Sequence, residues 1–170
     1  MTRSPLLPGL VLAGAFALSA CGLRPLYGGG GNSPVASTLR SITVAPIPDR
    51  AGWLVYNELR ERIGAAGDGS AQYRLEVDLD DNITGLGVRG DRAVTRERRT
   101  LRARYRLVNL SSGAVVLDAT AGSDAGIDVV SSEYATIAAE QTALERLSGV
   151  VADQIVARLA LFGARAAPAK

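Results

Sequence analysis

Apolar and polar residues alternate over three stretches in the middle of the chain, and apolar residues recur at helical spacing on either side of them. Tyr73, Leu75, Val77 and Leu79 alternate with Arg74, Glu76, Asp78 and Asp80, which predicts a strand with one buried and one wet face. Leu101, Ala103, Tyr105 and Leu107 define a second such strand. Its alternates are Arg102, Arg104 and Arg106, preceded in the same phase by Arg96 and Arg98. The turn Ser111-Ser112-Gly113 leads into a third strand, with Val115, Leu117 and Ala119 expected inward. Three consecutive strands with short connections predict an antiparallel meander.

Upstream, Ser41 to Ala45 alternates and reads as a first strand, ended by Pro46 and Pro48. Asp49 is expected to cap a helix running to about Ile63, with Val55, Leu59 and Ile63 stacked at i, i+4 spacing; Gly64 and Gly67 close it. Downstream, Ser131 or Ser132 can cap a long helix from about Glu133 to Phe162. Its stripe is Leu144, Leu147, Val151, Ile155 and Leu159, and Gly149 inside it marks a bend or a close approach. This helix is roughly 45 Å long, enough to cross a sheet. The order β-α-β-β-β-α predicts an α+β fold: a single four-stranded, mainly antiparallel sheet with two helices packed on one face. The stripe is expected to be core, since the apolar sheet face needs covering.

The N-terminus follows a different pattern. Arg3 is followed by an uncharged apolar run from Leu6 to Ala17, and then by Leu18-Ser19-Ala20-Cys21. That is a secretory signal with a lipobox at its end, rather than a spanning helix. Cys21 is the only cysteine, so no disulfide can form within the chain. Cys21 is therefore the expected site of lipid attachment, holding the mature protein to a membrane by several acyl chains. The expected organisation is a signal peptide at 1–20, a lipidated glycine-rich tether at 21–38, the folded domain at 39–163, and a flexible tail at 164–170.

Composition narrows the chemistry. The 150 residues from Cys21 onward carry 18 basic and 17 acidic side chains, a balance that argues against nucleic-acid binding. No later segment is expected to be long and apolar enough to span a bilayer. There is no histidine, which removes His-based triads, bases and metal ligands, so neither a cofactor nor a metal is expected. Carboxylate-pair hydrolysis stays open in principle, but no spacing singles out a pair.

The segment Cys21-Gly22-Leu23-Arg24-Pro25-Leu26-Tyr27-Gly28 resembles the mature start of LptE-type lipopolysaccharide-assembly lipoproteins, particularly the alphaproteobacterial branch. The run from Tyr134 to Phe162 resembles that family's final helix. The resemblance implies a non-enzymatic outer-membrane lipoprotein on the periplasmic side, partnered with an LptD-type β-barrel. It would plug and help assemble that barrel and assist passage of lipopolysaccharide to the outer leaflet. Gly22 stands where an aspartate would favour inner-membrane retention. The alternative is a structural scaffold lipoprotein of another envelope complex, without lipopolysaccharide contact.

Between Arg89 and Arg106 lie eight arginines against Asp91 and Glu97, a local excess of six positive charges. Guanidinium groups suit phosphate, so Arg89, Arg92, Arg96 and Arg98 are candidate contacts for lipopolysaccharide phosphates. Cross-strand pairing with Glu76, Asp78 and Asp80, or packing against a barrel wall, would absorb the same charge. The run Gly85-Leu86-Gly87-Val88-Arg89-Gly90 spells a dinucleotide fingerprint, but a strand rather than a helix follows it. Replacing Cys21 with Ala is expected to abolish acylation and signal-peptidase II processing. A palmitate-labelled band persisting in that variant would refute lipid attachment there.

Overall fold

The computed structural model describes residues 34–64, 71–88 and 94–166. In chain order the elements are α1 (Pro34–Arg40), β1 (Ile42–Val44), α2 (Asp49–Ile63), β2 (Tyr73–Val88), β3 (Val94–Asn109), β4 (Val115–Asp128) and α3 (Glu133–Ala166). The strands form one sheet in the order β1-β2-β3-β4. β1 runs parallel to β2, with α2 as the crossover; the other pairs are antiparallel. This is the α+β architecture expected from the pattern, with one helix more.

That extra helix, α1, begins inside the stretch read as tether. Val35 and Leu39 lie one turn apart and are both buried, which gives even this short helix an apolar anchor. A Cβ added at Gly163 of α3 would lie 3.0 Å from Thr38 Cβ. The glycine thus lets α1 sit against α3. Gly67 and Cys21, also assigned from sequence, lie outside the described residues.

α2 starts differently from expectation. Asp49 is not its cap: Pro48 occupies that position, with no side-chain hydrogen bond. Asp49 itself has φ +66°, a left-handed conformation that aspartate tolerates better than most residues. It makes the sharp turn out of Pro46-Ile47-Pro48. Gly52 lets the helix fold back closely, because a Cβ there would fall 2.6 Å from Ile47 O. At the other end Gly64 has φ +81° and donates its N–H to Arg60 O.

The strand faces follow the alternation. β2 and β3 set Leu75 opposite Leu107, Val77 opposite Tyr105 and Leu79 opposite Ala103. Leu75, Val77, Leu101, Ala103, Tyr105 and Leu107 are all buried. On β4, Leu117 and Ala119 belong to the same face, but Val115 is 52 % exposed. A register shift between Leu107 and Val108 pairs Val115 with Val108, and the extra step takes Val115 off the inner face.

α3 covers this face. Leu144, Leu147, Val151, Ile155 and Leu159 are buried as the stripe predicts. Ser148, also buried, donates to Leu144 O at 2.8 Å and so satisfies its hydroxyl within the helix. Ala135 N–H donates to both Ser132 O and Ser132 Oγ, which makes Ser132 the N-terminal cap. With 34 residues, α3 is about 51 Å long and continues past Gly163 into the stretch read as a flexible tail. The expectation that no later segment could span a bilayer is corrected here: this helix is long and apolar enough to cross a membrane, with a mean hydropathy of 1.4 over 18 residues. Half of that window is buried in the fold, as in a core helix.

α2 packs on the same side. Arg62 bridges the two helices, donating to Asp153 Oδ1 at 2.6 Å and pairing with Glu58. Gly149 lies beneath this bridge, where a Cβ would be 3.8 Å from Arg62 Nη2, an ordinary contact. The close helix approach is at Gly163 instead. Leu147→Ala or Ile155→Ala is expected to cost about 2–5 kcal/mol in urea unfolding. Arg102→Ala on the wet face should cost less than about 1 kcal/mol, and equal losses would contradict the face assignment.

Candidate functional site

The sheet face turned away from the helices is a field of charges set by the even-numbered positions of β2, β3 and β4. The register places Glu76 opposite Arg106, Asp78 opposite Arg104 and Asp80 opposite Arg102. Only the first of these becomes an ion pair, with Arg106 Nη2 3.4 Å from Glu76 Oε2; Arg74 shares the same carboxylate at 2.8 Å. The other arginines turn toward β4. Arg104 makes a two-point contact with Asp118, at 3.0 and 3.3 Å. Arg102 lies over Gly122, donates to Ser123 O at 3.0 Å and sits 4.0 Å from Asp124.

Arg96 and Arg98, two of the four candidate phosphate contacts, share this face. Arg96 Nε donates to Asp128 Oδ1 at 3.0 Å, with both side chains more than 70 % exposed. Arg98 is exposed between Thr84 and Gly126 and has no ion pair among the described residues. Arg89 and Arg92 lie outside the described residues. The structure thus brings two of the four together and leaves Arg98 as the less compensated charge.

The acids of β4 are what sequence reasoning missed. Asp118, Asp124 and Asp128 sit in one phase of a strand, but their role depends on the β3–β4 register. Hydrogen bonding with Arg104 holds the Asp118 carboxyl below its ordinary range, and the same contact raises Arg104. Both groups are open to water, so the pair organises charge more than it stabilises the fold. Asp78 and Asp80 line a cleft of about 570 Å³ with Arg102 and Arg104. Both carboxylates are exposed, unlike the sheltered pairs that acid–base chemistry uses.

A second charged group lies on the opposite face, at the distal end of the sheet. Arg99 is in phase with Leu101, and its side chain is only 12 % exposed. It grips Asp81 through Nε at 2.8 Å and Nη2 at 2.5 Å, and its Nη1 donates to Glu140 O of α3 at 2.8 Å. The Asp81 hydrogen bond raises the Arg99 pKa against the opposing effect of burial. Glu97 is in the same phase. Among the described residues no donor on a neighbouring residue meets its buried Oε2, and burial, then the charge of Glu140 and a hydrogen bond with it, raise the Glu97 pKa. The signal for this cluster was present in the alternation, since odd positions of β3 face the helices. Among the described residues no three acidic side chains converge as a metal cage would require.

These features define an α+β domain that leaves one broad, ion-paired sheet face uncovered by its helices. A family model described as LptE, lipopolysaccharide-assembly, matches residues 39–159, and the chain belongs to that family. Among solved structures it is similar to a lipoprotein of Caulobacter crescentus CB15, at 28% identity and a TM-score of 0.67, covering 81% of this chain and 100% of that one. It shares its fold with a minor lipoprotein of Acinetobacter baumannii, at 14% identity and a TM-score of 0.54, covering 71% of this chain and 89% of that one. It shares it also with rare lipoprotein B of Shewanella oneidensis, at 13% identity and a TM-score of 0.54, covering 73% and 95%. No curated protein sequence matches the chain.

The raised Glu97 pKa has a definite sign for stability. An acid that holds its proton more tightly when folded costs stability as pH rises through its folded pKa, and the cost is complete above it. The charged group facing Glu97 is Glu140, which worsens the cost. Glu97→Gln is expected to raise Tm at pH 7. The difference should shrink toward zero near pH 4, and a pH-independent difference would contradict the assignment.

Proposed function

We propose that this chain is an outer-membrane lipoprotein subunit of the lipopolysaccharide translocon, anchored through Cys21 on the periplasmic side. In this reading it plugs and helps assemble an LptD-type β-barrel and assists lipopolysaccharide into the outer leaflet. The observation that carries the reading is the LptE family match over residues 39–159, which takes in the whole sheet, α2 and most of α3. The N-terminal sequence Leu18-Ser19-Ala20-Cys21-Gly22 supports the anchor and the outward sorting. The Caulobacter crescentus relative, matched along its full length, is itself described as a lipoprotein.

The charged sheet face suits such a role. A surface of alternating Arg and Asp can exchange its own ion pairs for pairs with a barrel wall or with phosphates at modest cost, because exposed pairs are worth little to the fold. Arg98, with Arg89 and Arg92 from the sequence between β2 and β3, is the proposed phosphate contact; Arg96 joins it by releasing Asp128.

Depletion of the protein is expected to reduce surface lipopolysaccharide and the heat-modifiable folded form of the barrel together. A fall in neither would refute the translocon role. The phosphate contact is tested separately by replacing Arg89, Arg92, Arg96 and Arg98 with Glu. The variant should fold, retain the barrel on co-purification, and bind lipopolysaccharide at least tenfold more weakly, with binding of the wild type falling as salt rises. Loss of the barrel with unchanged lipopolysaccharide affinity would show instead that these arginines serve the wall.

A further inference from the structure

A backbone N–H that leaves water needs an acceptor within the protein. The turn between β3 and β4 meets that demand at each position from 109 to 114, although it stands at the surface. Asn109 N–H donates to Ala114 O at 2.9 Å, Leu110 N–H to Gln72 O at 2.9 Å and Gly113 N–H to Asn109 O at 2.8 Å. The Asn109 carboxamide oxygen accepts from Ser111 N–H at 2.9 Å and from Ser112 N–H at 3.2 Å. The Ser112 hydroxyl accepts from Ala114 N–H at 3.3 Å. Six consecutive N–H groups are thus satisfied by the protein itself.

The side chains of this tip are apolar. No residue from Leu107 to Leu117 is charged, in a sheet whose wet face is otherwise lined with arginine and aspartate. Leu110 is 43 % exposed, Val115 52 % and Val116 38 %. Regular alternation would turn one of the two valines inward. The register instead steps from Val115 opposite Val108 to Leu117 opposite Leu107. Val116 is therefore the extra residue of a bulge, and both valines face solvent.

The tip stands at the end of the sheet where the chain enters the fold. Gln72 and Tyr73 N–H both donate to Ser41 O, and Ser41 directly follows α1. Leu110 is thus joined through Gln72 to the residue at which the first helix ends. α1 has seven residues, a length of about 10 Å, and residues 21–33 lead from its start to the proposed anchor. The charges nearest the tip are arginines. Arg74 lies opposite Val108, one rung behind the pair of Tyr73 and Asn109, and Arg40 closes α1. Arginine keeps its head among lipid phosphates while apolar neighbours reach deeper.

We propose that the β3–β4 tip dips into the interfacial layer of a phospholipid membrane, with Leu110, Val115 and Val116 at the acyl boundary and Arg74 at the phosphates. Two observations select a lipid surface as the occupant. A tip without charge, and with its N–H groups already met, loses little on leaving water. The tether also brings this end of the domain to a leaflet, an argument that rests on attachment at Cys21. Three partly exposed side chains orient a domain rather than anchor it. Their binding is expected to be no stronger than that of a single myristoyl chain, about 10⁴ M⁻¹.

The test uses the mature chain with Cys21→Ala, so that no acyl chain takes part. In flotation with vesicles of phosphatidylcholine and phosphatidylglycerol, three to one, the bound fraction should climb as lipid rises from micromolar to several millimolar. Replacing Leu110, Val115 and Val116 with Ser should weaken binding at least tenfold with an unchanged circular dichroism spectrum. Should that variant fail to fold, a fluorescent reporter decides. Trp53, the only tryptophan, is replaced with Phe, and either Val115→Trp or Ile83→Trp is added. Ile83 lies ten residues along β2 from Tyr73, about 33 Å away. On vesicles the Val115→Trp emission should shift to the blue. Lipids brominated on their acyl chains should quench it at least threefold more than they quench Ile83→Trp.

A Cys21→Ala chain that never floats overturns the proposal and gives the tip to a protein partner. So does a serine variant that folds and floats equally well, or equal quenching at the two ends of the sheet. None of these readouts involves acylation, a barrel or lipopolysaccharide, so failure of the tip contact leaves the anchor and the translocon reading standing.

Discussion

Everything in this molecule follows from one apolar sheet face that a single long helix must hide. Leu75, Val77, Leu101, Ala103, Tyr105 and Leu107 present more hydrocarbon than three strands can shield from water. α3 lies across it, burying Leu147, Val151 and Ile155 there and leaving α2 to cover the flank. The small residues Ala119 and Ala121 on β4 leave room for α3 to come close enough for Gln154 to reach the backbone of Gly122. Burial, edge protection and helix placement are thus one arrangement.

With the helices all on one side, the other side of the sheet is left to water, and the sequence fills it with opposed charges. The arginines of β3 have acids on both flanks, yet they mostly choose β4. The result is a surface whose local charge is nearly balanced on β4's side and unbalanced toward β2, where Asp78 and Asp80 stand without ion pairs. Balanced, exposed pairs of this kind contribute little to folding, which leaves such a surface adaptable to a polar partner.

The fold was legible in the sequence to the extent that periodicity controls it. Strict alternation in β2 and β3 and the i, i+4 stripe of α3 each point to one burial solution, and the structure adopts it. What escaped was set by single backbone events. Val115 was misplaced because a register shift at Leu107/Val108 has no residue signature in the strand itself. Asp49 looked like a cap, but the two prolines before it force a turn that it completes with a positive φ. α1 was hidden because Val35 and Leu39 follow a glycine-rich stretch and only a tertiary surface makes them a helix face. The ion pairs of the charged face were half legible: the arginines were evident, whereas their acceptors depended on which neighbouring strand each side chain leans over. Arg99 and Glu97 were readable by phase alone, yet counting charge along the chain merged them with the exposed stripe.

α1 also changes the mechanics of attachment. In the proposed attachment through Cys21, residues 21–33 would be all that separates the lipid from the first packed element, α1. Thirteen residues, fully extended, reach at most about 45 Å. Folding 34–38 against α3 shortens the leash by more than a quarter of what the glycine-rich reading allowed. It would also set the tethered end of the domain directly against α3 at Gly163. Under the proposed attachment at Cys21, the domain would stay close to the leaflet that holds it, and a partner would have to meet it there.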